Sequence, residues 1–283
     1  MQHNLDLLVL HSENGNGGYK MANGKVYEAY MCNELWNNFL QEMKTKYTTA
    51  YNAYVDGMGN ELKEMQYPPK MASYGSSSRF IYLLSRDIPG FEFEIKKDTK
   101  IGGKASLDGY CRRGNKDIYV EAKRREIYPK HSFCVKDCYI EVYKYLNRNS
   151  KFDYKLGKGK EEKTSNISFY YDEKEILYFD IKQIICHFLG IINNLPDNYS
   201  NSIEFIYLIY NPEKLEPCSN VSDRQLNNLK NRYKKAIEQT QFFDFKEMFS
   251  LIYEYLKKDK EMPEFTFKLV DQEHYKEEFG MDN

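Results

Sequence analysis

KASLDGYCRRGNKDIYVEAKRR, residues 104–125, holds two runs of strand-forming residues on either side of Arg113-Gly114-Asn115-Lys116. Ile, Val and Tyr suit a pleated, half-buried surface, and Asp117–Lys123 (DIYVEAK) is rich in them before it ends in the charges of Arg124 and Arg125. Gly and Asn tolerate the positive φ of a tight turn, so the two runs are expected to fold back as a β-hairpin. With a side-chain period of two, Ile118 and Val120 share one face of the second arm, and Tyr119, Glu121 and Lys123 share the other. Folding about the turn brings Asp108 of the first arm near the level of Glu121. Upstream, Phe91-Glu92-Phe93-Glu94-Ile95 alternates cleanly, which extends the hairpin to a three-stranded antiparallel meander over residues 91–124.

An acid-x-Lys tripeptide is cheap in a chain with 29% charged residues, and ten occur here, among them Glu42–Lys44, Asp153–Lys155 and Asp180–Lys182. Only Glu121-Ala122-Lys123 lies in a β-branched, aromatic run and follows an Asp-Gly hairpin arm at the right distance. The residue types specify a chemistry. Asp108, Glu121 and the carbonyl of Ala122 are hard oxygen donors, which suit Mg²⁺, with Mn²⁺ substituting, rather than zinc. Such an ion would polarise a phosphoryl oxygen, acidify a bound water and stabilise the leaving oxygen. Lys123 would neutralise charge growing on the phosphate or orient the attacking water. Phosphodiester hydrolysis needs these parts and no covalent nucleophile. The competing interpretation makes Asp108 an ordinary turn acid, and Glu121 with Lys123 an exposed ion pair on a solvated face.

The order of a strand, an Asp in the next strand, a short hairpin and Glu-x-Lys in the third strand resembles the PD-(D/E)xK nuclease superfamily, which has the restriction-endonuclease-like fold. The resemblance covers residues 76–210. It implies an α/β (mixed α+β) architecture in which helices flank a central mixed sheet. It also implies that Asp108 is the metal-binding acid, Glu121 the second acid and Lys123 the catalytic lysine. The proline that leads the family motif is replaced by Leu107. Gln183 with His187, four residues apart in an apolar helical run, loosely matches a glutamine-and-tyrosine helix motif of some members, with His in place of Tyr; Gln183 is therefore an auxiliary candidate. In this fold class a helix ahead of the first strand flanks the active site and would bring Arg79 or a further acid toward it, but the sequence assigns none.

Charge is unevenly distributed behind a formal net charge of −1. Residues 96–130 hold 11 Lys and Arg against 5 Asp and Glu, whereas residues 244–283 hold 6 against 11. The basic stretch surrounds the proposed site, as a polyanionic substrate favours. Arg112, Arg113, Arg124 and Arg125 are the candidate DNA contacts. No apolar run approaches the roughly 20 residues of a membrane span, and the first residues carry no secretion signal. Six cysteines scattered through the chain suit a reducing cytoplasm, with only Cys134 and Cys138 close together and no completed zinc pattern. Neither a phosphate-binding GxxxxGK[ST] loop, a GxSxG elbow nor an HExxH pair occurs.

The chain divides into a helical section over 1–75, which opens with a short apolar run from Leu5 to Leu10, a core over 76–210 and a helical section of the same domain over 211–283. Met31, Leu35, Phe39 and Met43 recur every four residues, which predicts an amphipathic helix over 24–46, with a helical continuation over 48–66 that Tyr67-Pro68-Pro69 ends. Ser76-Ser77-Ser78 caps a helix running to about Arg86. Helices are expected over 133–147, 177–194, 222–240 and 245–257, and strands over 202–210 and 265–270. Residues 149–175, rich in lysine, are assigned to a solvated loop, with a grip on a DNA backbone by Lys151, Lys155, Lys158, Lys160 and Lys163 as the alternative. Taken together, the sequence leads to a Mg²⁺-dependent endonuclease of restriction or defence type acting on double-stranded DNA, cytoplasmic and suited to working as a homodimer. The alternatives are a nucleic-acid- or partner-binding module on a non-catalytic nuclease-like core, and a structural protein that docks an acidic partner on the basic hairpin.

Overall fold

The structure is a computed structural model and describes residues 18–27, 30–57, 60–73, 75–124, 137–157, 166–212, 223–257 and 260–281. Leu5–Leu10, Arg125, Cys134, Cys218 and Lys158, Lys160 and Lys163 lie outside the described residues.

The hairpin forms where the sequence places it. Strands β3 (Glu92–Asp98), β4 (Lys104–Arg113) and β5 (Lys116–Lys123) make an antiparallel meander, with Gly114 at φ 56° in the turn. Two later strands, β9 (Ser202–Ile209) and β10 (Phe265–Asp271), add on in parallel, giving a mixed five-stranded sheet of order β10-β9-β5-β4-β3. Buried on both faces, β9 is a near-continuous apolar run, as a central parallel strand requires. A two-residue pair, β1 (Tyr19–Lys20) with β2 (Val26–Tyr27), precedes the helices.

Seven α-helices occur among the described residues. One face of the sheet is covered by α1 (Asn33–Lys46), α2 (Thr48–Asp56) and α3 (Ser77–Ser85), which set Trp36, Phe39, Tyr54 and Ile81 against Val120, Ala122 and Leu208. The other is covered by α4 (Asp137–Asn149), α5 (Ile181–Asn193) and α7 (Phe245–Lys257), with α6 (Asp223–Thr240) adding Ala236. There Phe245 stacks on Phe267 and Phe249 on Phe265 at centroid separations of 3.7 and 3.8 Å. Gly190 lets α5 close on the sheet, since a Cβ there would lie 2.6 Å from Ala105 Cβ and 3.0 Å from Lys97 Cβ.

Four expectations are corrected. The first helix starts at Asn33, because Gly24 turns the chain at φ 83° and Cys32 is extended; Met31 is buried before the helix, and Leu35 is exposed. The second ends at Asp56, where Gly57 turns extended, and does not continue to residue 66. The helix expected from Leu177 begins at Ile181, because the Asp180 carboxylate caps it by accepting from Gln183 N at 3.0 Å. Residues 149–175 are not merely a loop: β6 (Phe152–Gly157), β7 (Asn166–Tyr171) and β8 (Lys174–Ile176) form an antiparallel sheet. The alternation of Phe152, Tyr154 and Leu156, and of Ile167, Phe169 and Tyr171, carries the strand signal beneath the lysines.

Gly190→Ala is expected to lower stability by about 1–3 kcal/mol through overpacking, against the helix propensity it gains. Denaturant unfolding checks this, and an unchanged midpoint would show that α5 can back away from β4 freely.

Candidate active site

Alternation along β5 points Glu121 and Lys123 toward α5 and Ala122 into the opposite core. Neither charged residue is on a solvated face: Glu121 is 2% and Lys123 8% exposed. Lys123 Nζ lies 2.6 Å from Glu121 Oε1 and donates to Gln183 Oε1 at 2.7 Å. The other oxygen, Glu121 Oε2, is 2.9 Å from His187 Nε2, which donates to it. Gln183 and His187 are four residues apart and so share one face of α5. Two residues from β5 and two from α5 thus form a closed chain of charge-assisted contacts in the interior.

Asp108 sits where β4 parts from β5. Pairing between these strands runs from Arg113–Lys116 to Gly109–Val120 and stops there. The next amide, Ala122 N, donates instead to Asp108 Oδ2 at 2.7 Å. On its other side β4 pairs with β3 at Gly109–Phe93 and Leu107–Ile95, with Asp108 and Glu94 between them. Both strands change face at this step, since Phe93 packs with the helices of the first face while Leu107 and Ile95 pack on the second. Glu94 absorbs the reversal at φ 55°, a left-handed conformation that is strained for a residue with a Cβ. Its carboxylate points toward the end of α2, where a Cβ on Gly57 would lie 3.5 Å from Glu94 Oε2.

A further acid reaches this region from the segment after α2. Glu61 is 8% exposed, and its Oε1 accepts from Lys70 Nζ at 3.2 Å while its Oε2 is buried without a hydrogen-bond partner. The segment is pinned: Met71 N donates to Glu61 O at 3.0 Å, and the buried Arg79 of α3 donates to Met71 O at 3.2 Å. Arg79 therefore braces the loop that carries Glu61.

The carboxylates respond to one another. Burial raises the Asp108 pKa well above the usual carboxylate range, Glu121 adds to the rise, and Lys123 and the Ala122 amide oppose it. Burial and then Glu61 lift Glu94 to about 7, with Glu121 contributing in the same direction. Burial also disfavours ionised Glu121, but Lys123 and His187 outweigh it and hold the carboxyl down at about 2. The buried Tyr54 phenol is raised by burial first, then by the charges of Glu94, Asp108 and Glu61.

Asp108, Glu121, Ala122, Lys123 and Gln183 are brought together as the sequence anticipates. Arg112 and Arg113 lie at the turn end of the hairpin, where Arg112 is held by Asp117 at 2.7 and 3.0 Å. Arg124 is 3% exposed and lies 5.2 Å from the centroid of the Tyr210 ring. His187, Glu94 and Glu61 were not assigned to the site from the sequence. A signal existed for His187 in its spacing from Gln183 and for Glu94 in the alternation of 91–95; none marks Glu61. Among the described residues no three Asp, Glu, His or Cys side chains are placed closely enough to hold a metal ion as they stand.

A carboxyl that titrates near 7 when folded and near 4.3 when unfolded binds the extra proton in the folded state, so its contribution is complete at low pH and is lost as pH rises through about 7. Glu94→Gln should remove that decline. Urea unfolding is expected to show the variant more stable than the parent at pH 8, by on the order of 1–3 kcal/mol, and nearly equal at pH 5. Equal slopes for the two proteins between pH 5 and 8 would contradict the raised pKa of Glu94.

A scan against family models and searches of curated proteins and of solved structures find no match to the chain.

Proposed function

We propose that the protein is a divalent-metal-dependent nuclease that hydrolyses phosphodiester bonds of double-stranded DNA, built on a restriction-endonuclease-like core. The observation that carries the proposal is the fixed, largely buried ammonium of Lys123 beside Asp108 at the point where β4 and β5 part. A flanked meander continued by parallel strands is the scaffold expected of such a core, and the basic balance of residues 96–130 suits a polyanion. Among the described residues no helix is long and apolar enough to cross a membrane.

The donor chemistry suits a hard cation such as Mg²⁺ or Mn²⁺, because Asp108 and Glu94 offer carboxylate oxygens, which burial first and then neighbouring acids drive toward protonation. When bound there, the ion would supply Lewis-acid polarisation of the phosphoryl group and an acidified water. The chain's own residues do the rest. Lys123 presents its ammonium to the charge that develops on the phosphoryl oxygens, and Gln183 and Glu121 fix its direction before substrate arrives. His187 holds Glu121 in place. Burial makes these contacts stronger than they would be in water.

One observation favours a nucleic-acid-binding module instead: both oxygens of Glu121 are already engaged, which leaves the second acid of the motif closed. Plasmid cleavage separates the two. With Mg²⁺ or Mn²⁺ the parent should nick or linearise supercoiled DNA, and Lys123→Ala should lower the rate roughly 10²–10³-fold, the scale for one preorganised transition-state donor. Asp108→Ala should abolish cleavage. DNA binding without cleavage in any of the three proteins would establish the binding module.

A further inference from the structure

We infer that α6 is the sequence-reading helix of the protein, entering the major groove of duplex DNA with Arg224, Asn227, Asn228, Asn231 and Lys235 toward base edges and phosphates. This rests on the reading of DNA as the ligand, not on its hydrolysis. The helix has two unlike faces. Leu226 and Ala236 are buried, with Leu229 and Tyr233 half-buried on the same side, whereas the five polar residues are exposed. At about 100° per residue, those five fall in one stripe roughly 100° wide. Charge is one-sided too: α6 carries Arg224, Lys230, Arg232, Lys234 and Lys235 against Asp223 and Glu238. Such an excess suits a polyanion.

Helix stability does not account for the stripe. Asn is a weak helix former, because its amide competes for nearby backbone groups. Three nevertheless occupy the exposed interior of this one helix, and none of their side chains makes a hydrogen bond among the described residues. Base edges match them chemically. An Asn amide can donate to adenine N7 while accepting from adenine N6, and Arg or Lys reaches guanine O6 and N7 or a phosphate. The 18 residues of α6 extend about 27 Å, and the major groove admits a helix.

The placement of α6 agrees with such a role. Tyr233 donates to Asp271 Oδ2 at 3.0 Å. Asp271 stands level with Lys123 across Ile209, at the carboxyl ends of three parallel strands and about 10 Å away at ordinary strand spacing. Open α/β sheets hold their ligands at that end. Gln239 accepts from Tyr178 N at 2.8 Å and donates to Glu175 O at 3.2 Å, on the approach to the helix that carries Gln183. Lys235 Nζ lies 5.8 Å from the Tyr178 ring centroid. The helix is thereby fastened at the end of the sheet that presents Lys123, as a reading element for a cut at that edge must be.

The test is selection from a pool of random-sequence duplexes by the full chain in EDTA. Binding of the selected duplex and of the unselected pool is then compared for the parent, the double variant Asn228→Ala/Asn231→Ala, and Lys235→Ala. The parent is expected to enrich one motif. The double variant should bind the selected duplex at least about tenfold more weakly, the scale of one lost bidentate base contact, and bind the pool as the parent does. Lys235→Ala should weaken both alike. Thermal midpoints should hold or rise, since Ala is the better helix former, so that lost binding is not lost folding. No enrichment by the parent, or a double variant that keeps the parent's preference, overturns the inference. If the parent also cuts DNA in that case, the nuclease proposal stands. A preference lost in the double variant, with no cleavage by the parent in Mg²⁺ or Mn²⁺, supports the reading helix and removes the nuclease proposal.

Discussion

Glu121, buried between Lys123 and His187, is the contact on which the rest of the site depends. A lone carboxylate or ammonium in the interior would be discharged or expelled, so each of these groups is tolerated only because the other is present. Lys123 comes from the strand and His187 from the helix, which means that the ion chain exists only if α5 lies close on the sheet. The missing Cβ of Gly190 permits that approach at one end of the helix, and the Asp180 cap fixes where the helix begins. Packing and charge are thus solved together. Breaking such a buried pair by removing one partner typically costs about 3–5 kcal/mol, so the lysine is held far more firmly than a surface lysine would be.

Beside this rigid chain lies a region built the opposite way. The β4–β5 ladder stops at Gly109–Val120, the side chain of Asp108 replaces the next backbone acceptor, and Glu94 takes a left-handed backbone. Each departure weakens the sheet locally, and each places an acid where a regular ladder would not. Backbone strain at Glu94 beside buried, mutually repelling carboxylates is a pattern that functional sites share. The two halves differ in stiffness: a cation is fixed on one side by Glu121 and Gln183, and Glu94 takes a left-handed backbone on the other.

Much of this was legible from local pattern. Period-two alternation located β3, β4 and β5 and put Glu121 and Lys123 on one face, and the turn chemistry of Gly114 and Asn115 set the hairpin. The Gln183–His187 spacing marked the helix face that meets them. What escaped depends on position in space. Glu61 is one acid among 42 Asp and Glu residues, and it enters the site only because Arg79 and Met71 pin its loop. The role of Glu94 follows from a reversal of strand face that the regular alternation of 91–95 conceals. The small sheet of β6, β7 and β8 was hidden by composition, since its lysines read as solvated loop while Phe152, Ile167 and Phe169 pack inward.

The most direct measurement is a crystal structure of the protein grown with Mn²⁺, with the ion located by its anomalous scattering. The account predicts one peak on the carboxylate of Asp108, beside the ammonium of Lys123. Crystals that take up Mn²⁺ with no peak at Asp108 would contradict it.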